Sequence, residues 1–156
     1  MGIERHEMGP RFSEMTVANV GTSKLIYLSG QVAENTSLGV EGQTREILRF
    51  VDRLLAHVGA DKTHIVSAKI YLASVGDYAA MNSVWDEWVP RGHTPARSTI
   101  GAKLVRPEYK IEIDITAVID AAAHQHEREH GAQASGENGH GDHCIAADSE
   151  ESNAKK

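Results

Sequence analysis

The chain has 156 residues, with 22 acidic and 16 basic side chains and a formal net charge of −6, which disfavours binding to a nucleic-acid backbone. Its single cysteine, Cys144, excludes an intramolecular disulfide and fits a reducing, cytoplasmic compartment. Residues 1–10 lack the apolar run of a secretion signal, and no segment reaches membrane-spanning length. These properties predict one small cytoplasmic domain that binds neither nucleic acid nor membrane.

Apolar periodicity predicts the first five elements in chain order. Two strands, 13–20 and 24–29, come first because short runs of strand-forming residues flank a turn. A stripe of apolar residues at spacings of three and four then predicts a helix at 44–59. A strand at 64–74 and a second amphipathic helix at 77–89 follow. The alternation of strands and helices favours an α+β fold.

The last two predicted strands, 96–104 and 109–116, both alternate strictly between apolar and polar residues, which is typical of half-buried strands. We predict that they form a hairpin closed near Arg106. This register pairs Gly101 with Glu112, and Arg97 with Thr116.

In that hairpin Arg97, Thr99 and Glu112 share one face of the sheet, because paired residues point to the same side. The opposite face carries Ile111, Ile113 and Ile115. We therefore predict a two-layer sandwich, a mixed sheet with two helices covering the isoleucine face. The Arg97 and Glu112 face would stay uncovered, which makes it a candidate subunit interface.

Residues 120–156 differ in composition from residues 1–119, which form the predicted domain. This segment has almost no large apolar residue and cannot bury enough surface to fold, so we predict a disordered, acidic, histidine-rich tail. The run 126–130 reads His-Glu-x-x-His, but a zinc protease also needs a third ligand and a cleft. The histidines and Cys144 could capture a metal weakly. We predict no metal site and no cofactor.

Two side chains are the strongest candidates for chemistry. Arg97 offers a planar fork that can hold a carboxylate at two points, although a salt bridge or a solvated arginine is the simpler alternative. Glu112 can act as a general acid and base, or merely pair with Lys103. The predicted register separates them by roughly 13 Å. Either Arg97 reaches far, or two subunits contribute, or the register is wrong.

The sequence Pro-Ala-Arg-Ser at 95–98, followed by Ile-Glu-Ile-Asp at 111–114, resembles the signature of the Rid (YjgF) family of reactive intermediate deaminases. Supporting pieces are Gly-Pro at 9–10, Ser-Gly-Gln at 29–31 and Met-Asn at 81–82, so the resemblance covers roughly residues 8–119. It implies a chorismate-mutase-like homotrimer that hydrolyses 2-imino or enamine acids to 2-oxo acids plus ammonia, in clefts between subunits and without a cofactor.

The resemblance also implies roles for individual residues. Arg97 would clamp the carboxylate of a small anionic imino acid, and Glu112 would activate water. Gly30 and Asn82 would line the site, while Asp114 is interpreted as a structural partner.

The chain departs from the family pattern at two further predicted binding positions. Thr99 stands where many deaminating members have cysteine, and Arg11 stands where a tyrosine is usual. Together with Phe12 these departures favour an alternative, a non-catalytic module that binds a small anionic metabolite. A third alternative, RNA cleavage, is the weakest because of the negative net charge.

Overall fold

The computed structural model of the chain describes residues 2–120. Six strands and two helices follow one another in this segment, with short 3₁₀ turns at Lys62–His64 and Val75–Asp77. In chain order they are β1 (Gly2–Met8), β2 (Ser13–Val20), β3 (Ser23–Gln31), α1 (Val40–His57), β4 (Ile65–Leu72), α2 (Tyr78–Trp88), β5 (Ala96–Gly101) and β6 (Ile111–Asp120). The predicted tail and its His-Glu-x-x-His run lie outside the described residues.

The strands form one mixed sheet in the order β1-β2-β3-β6-β4-β5. Only β4 and β5 are parallel, and all the other neighbours are antiparallel. Both helices pack on one face of this sheet, which confirms the predicted two-layer α+β architecture. Strand β1 was not predicted, because nearly all of its side chains are exposed and it shows no apolar face.

The core lies between the helices and the isoleucine face of β6. Ile111, Ile113 and Ile115 are at most 2% exposed, as the alternation in the sequence predicts. The apolar stripe of α1 is buried against them; its members are Ile47, Leu48, Val51, Leu54 and Leu55. Burial of one face of each element therefore explains why these segments fold as they do.

The predicted hairpin is wrong, because β4 lies between β5 and β6. Helix α2 connects β4 to β5, and a strand that follows a helical crossover can pair in parallel with the strand before it. Arg97 is consequently the register partner of Ala68, and Thr99 that of Ile70. Gly101 pairs with Leu72 rather than with Glu112.

This correction moves Arg97 and Thr99 to the other side of the sheet. Their partners Ala68 and Ile70 are buried beneath the helices, so Arg97 and Thr99 also lie on the helical face. Glu112 is paired with Tyr71 on the open face, as predicted for that residue. The prediction that Arg97, Thr99 and Glu112 share one face is therefore wrong.

A buried glutamine holds the connection between β5 and β6 against α1. The Gln43 side chain is fully buried, and its Nε2 donates to the carbonyl oxygens of Leu38 and Glu108, each at 3.0 Å. Its Oε1 accepts from the backbone N–H of Lys110 at 2.9 Å. This amide therefore fixes the point at which β6 begins.

Across residues 2–120, neither helix combines the length and the apolar character that crossing a lipid bilayer requires.

Candidate functional site

Arg97 lies half-buried at the edge of the sheet, beneath α2. Its guanidinium carbon is 5.2 Å from the centroid of the Trp85 ring, a cation–π distance, and Nη2 donates to the hydroxyl of Tyr78 over a long 3.4 Å. Within residues 2–120, no carboxylate lies within 4 Å of the guanidinium. The fork is therefore oriented by two aromatic residues, while its charge has no anionic partner in the described chain.

Two polar atoms close to this arginine in the fold are buried without a hydrogen-bond partner. They are Oδ1 of Asn82 and Oγ1 of Thr99. Asn82 lies on the same face of α2 as Tyr78 and Trp85, four residues after the first and three before the second. Thr99 is two residues beyond Arg97 on the same face of β5. We call Arg97, Thr99 and Asn82 the cation cluster.

Buried polar atoms without partners are uncommon and costly in folded proteins. Two of them lie on elements that flank the guanidinium of Arg97, which makes this place a candidate binding site. The structure therefore brings together three of the residues predicted from the sequence, Arg97, Thr99 and Asn82, although on an unexpected face.

A second group of polar residues lies on the open face of the sheet. Glu112 and Asp114 project from β6, and the hydroxyl of Tyr71 on β4 donates to Oδ2 of Asp114 at 3.2 Å. Burial raises the pKa of Glu112, and the nearby charge of Asp114 raises it further. We call Glu112, Asp114, Tyr71 and the adjoining Gly30 the acid cluster.

Gly30 is present because the carboxylate of Glu112 occupies the space beside it. A Cβ atom at this position would overlap Oε1 of Glu112 and lie 2.9 Å from its Cδ. The irregular pairing of β3 with β6 between Leu28 and Gln31 places the glycine there. The structure thus brings together two predicted site residues, Gly30 and Glu112, through a close contact that only glycine permits.

Two cavities adjoin the acid cluster. One of about 220 Å³ is lined by the acid cluster and by residues 102–105. The other, of about 470 Å³, shares Gly30 and is also lined by Phe12, Glu14, Arg106 and Tyr109, among others. The larger volume falls in the range of small-molecule sites. Arg97 lines neither cavity.

Arg11 is not part of either cluster, since it is exposed in the turn between β1 and β2. Its neighbour Phe12, 60% exposed, does line the larger cavity. Lys103 lines the smaller cavity with Glu112, but the two side chains form no salt bridge. The proposed simple pairing of Glu112 with Lys103 is therefore wrong.

Four contributors were missed from the sequence. Trp85 and Tyr78 were interpreted only as parts of an apolar stripe, and Tyr71 only as a strand residue. Each acts through a partner on another element, so a correct strand register would have been needed to find it. Glu14 was also missed; its Oε2 accepts from Ser29 Oγ at 2.9 Å and from Gln31 Nε2 at 3.0 Å.

Among residues 2–120, no group of three or more histidine, cysteine, aspartate or glutamate side chains is arranged to hold a metal ion. A separate groove of about 230 Å³ lies between the two helices, lined by Arg45, Arg49, Lys62 and Trp88, among others. None of the predicted site residues lines it.

Comparisons with known proteins all identify relatives from one protein family. The sequence profile of the family Endoribonuclease L-PSP matches residues 9–119. A RutC family protein of Haemophilus influenzae is 42% identical over 118 residues, which cover 75% of this chain and 98% of that protein. The chloroplastic Reactive Intermediate Deaminase A of Arabidopsis thaliana is 30% identical over 118 residues, covering 72% of this chain and 60% of that protein.

Among solved structures, a YjgF family protein of Neisseria meningitidis superimposes with a TM-score of 0.70 at 49% sequence identity. The match covers 76% of this chain and 95% of the Neisseria chain.

Proposed function

Because the chain belongs to the Endoribonuclease L-PSP (YjgF/Rid) family, we propose that it hydrolyses 2-imino acids, or their enamine tautomers, to 2-oxo acids and ammonia. The observation that carries the proposal is the half-buried guanidinium of Arg97, which is positioned by Trp85 and Tyr78 but has no carboxylate partner in residues 2–120. A 2-imino acid carries a carboxylate directly beside its C=N bond. The name of the Arabidopsis relative supports the same reaction class.

In this proposal Arg97 binds the substrate carboxylate through two parallel hydrogen bonds, which fixes the adjacent imine carbon. The unpartnered atoms of Asn82 and Thr99 accept hydrogen bonds from the substrate or from water. The hydroxyl of Thr99 can do this, although it cannot supply the chemistry of a thiol.

Glu112 performs the proton transfers. As a carboxylate it removes a proton from water while the water oxygen bonds to the imine carbon, and it passes that proton to the imine nitrogen, which gives a neutral carbinolamine. It then removes the proton of the new hydroxyl group and delivers it to the amine nitrogen; the C–N bond breaks, and ammonia leaves as the C=O bond forms. A carboxyl group whose pKa is raised by burial is suited to both halves of this cycle near neutral pH.

Arg97 and Glu112 lie on opposite faces of the sheet in one chain, so we propose that each site forms between two copies of the chain. The open face supports this, since it exposes large apolar side chains, among them Ile3, Tyr27 and Ile100. A homotrimer, as in the family resemblance, would cover that face and provide three equivalent clefts.

The proposal is tested by adding purified protein to a freshly generated 2-imino acid and following ammonia release. We expect the wild type to accelerate release and Arg97→Ala to abolish the acceleration without changing the mass of the assembly. Arg49→Ala is the matched control, because Arg49 is exposed on α1 and lines only the groove between the helices. Full activity of Arg97→Ala would refute the assigned role.

A non-catalytic module for small anionic metabolites is the second candidate, favoured by Thr99 and Arg11 at the two positions that depart from the family pattern. Calorimetry with the same imino acid and its 2-oxo product distinguishes the two. Saturable binding that requires Arg97, together with an unchanged rate of ammonia release, would support the binding module over the hydrolase.

A further inference from the structure

Tyr71 occupies an unusual position within the acid cluster. It is the register partner of Glu112, yet its hydroxyl donates to Asp114, two residues farther along β6. The two carboxylates are on the same face of one strand, about 7 Å apart by strand geometry. In residues 2–120 this is the only hydrogen bond that either carboxylate accepts.

The charged groups that face these carboxylates explain why the contact matters. Lys69 on β4 is the register partner of Asp114, and Lys103 lines the cavity beside Glu112. Among the carboxylates of residues 2–120, none has an oxygen within 4 Å of either lysine. Within the described part of the chain, the charge of Asp114 therefore acts on Glu112 with no cation in direct contact to neutralise it.

The phenol is a stable donor in this place. Burial raises the pKa of Tyr71, and the charges of Asp114 and Glu112 raise it further, so the hydroxyl stays protonated at neutral pH. A protonated phenol directed at Asp114 restrains that carboxylate on the side of Glu112. Without it, Asp114 is free to turn towards Lys69 and form an ion pair, which would reduce its effect on Glu112.

We propose that Tyr71 is a positioning residue, which holds the Asp114 carboxylate beside Glu112 and away from Lys69. The negative charge of Asp114 then stays close to Glu112. The consequence of this inference for catalysis rests on the proposed function, because Glu112 is the general acid and base of the proposed reaction. The titration of Glu112 itself can be measured whether or not the protein hydrolyses imines.

The test is a pH titration of the Glu112 side-chain carboxyl by carbon-13 NMR in the full-length protein. Asp114→Asn should lower the midpoint by on the order of one pH unit, because it removes a negative charge about 7 Å away. Tyr71→Phe should lower it by a smaller amount. On the Asp114→Asn background, Tyr71→Phe should cause no further change, since the proposed effect acts only through Asp114.

Tyr27→Phe is the matched control: it also removes a phenol from the open face, and Tyr27 has no hydrogen bond to a carboxylate in residues 2–120. We expect its Glu112 midpoint to equal that of the wild type. An unchanged midpoint in Tyr71→Phe, or an equal drop on the Asp114→Asn background, would overturn the inference.

The rate of ammonia release from a 2-imino acid separates this inference from the proposed function. If both are correct, the acidic limb of the pH–rate profile moves to lower pH in parallel with the NMR midpoint. A shifted midpoint in a protein that never accelerates ammonia release would uphold the role of Tyr71 and reject the hydrolase.

Discussion

The cation cluster and the acid cluster are built in opposite ways. In the first, a guanidinium rests on the Trp85 ring under α2, beside buried polar atoms that lack partners. In the second, Glu112 and Asp114 lie on the open face, with no cation within 4 Å among residues 2–120. Each cluster has the charge that the other lacks, and the sheet separates them. This contrast is what the proposed intersubunit site requires, namely two complementary halves carried by one chain.

The largest effect should come from mixing two inactive variants. Arg97→Ala and Glu112→Gln should each be inactive alone, because each lacks one half of every site. Co-expressed in equal amounts with separate tags and isolated as mixed trimers, they should recover about a third of wild-type activity, since one of the three sites in each mixed trimer joins two intact halves. Ammonia release per assembly measures the recovery.

The control replaces Glu112→Gln with the double variant Arg97→Ala/Glu112→Gln. No intact Arg97 is then present in any mixed assembly, and activity should stay at zero. Failure of the first mixture to recover activity would show that the two clusters do not meet across a subunit boundary.

The acid cluster is tested by Gly30→Ala. The added methyl would occupy the space of the Glu112 carboxylate, the end of a flexible side chain that can move away. We expect about a 100-fold loss of activity from the displaced carboxylate, with the free energy of unfolding changed by less than about 1 kcal/mol. Gly39→Ala is the control, because a Cβ there meets nothing within 4 Å. Wild-type activity in Gly30→Ala would exclude a need for this contact.

The smallest effect is expected in the cation cluster, from Thr99→Val. The buried hydroxyl has no partner in the described chain, so its removal should leave the free energy of unfolding unchanged or raise it by up to about 1 kcal/mol. Thr44→Val is the matched control, since that buried hydroxyl donates to Val40 O at 2.7 Å; its loss should cost about 1 kcal/mol. Chemical denaturation measures both. Equal destabilisation would mean that the Thr99 hydroxyl already has a partner in the folded protein.

Much of the fold could be predicted from the sequence, because periodicity reports which side of an element is buried. The isoleucines of β6 and the stripe of α1 were assigned correctly on that basis. Periodicity did not reveal β1, whose side chains are exposed on both faces and therefore carry no alternation.

Strand pairing could not be predicted in the same way. The strict alternation of β5 fits either face equally well, and only its partner decides which side is covered. The assumption that β5 pairs with the next strand in the chain assigned Arg97 to the wrong face, whereas the crossover through α2 makes it a neighbour of β4. The candidate site residues were chosen from the family resemblance, so their choice did not depend on the predicted pairing of β5 with β6.

The amide of Gln43 has a consequence for how this scaffold tolerates change. It forms hydrogen bonds with the segment between β5 and β6 at Glu108 and Lys110. It forms none with the preceding residues, where Val105 is 91% exposed. A loop that is anchored by hydrogen bonds at one end and exposed around Val105 is a suitable place to exchange residues. Exchanging the residues around Val105 would change which molecules fit the neighbouring cavities, while Gln43 keeps β6, the strand that carries Glu112, in place.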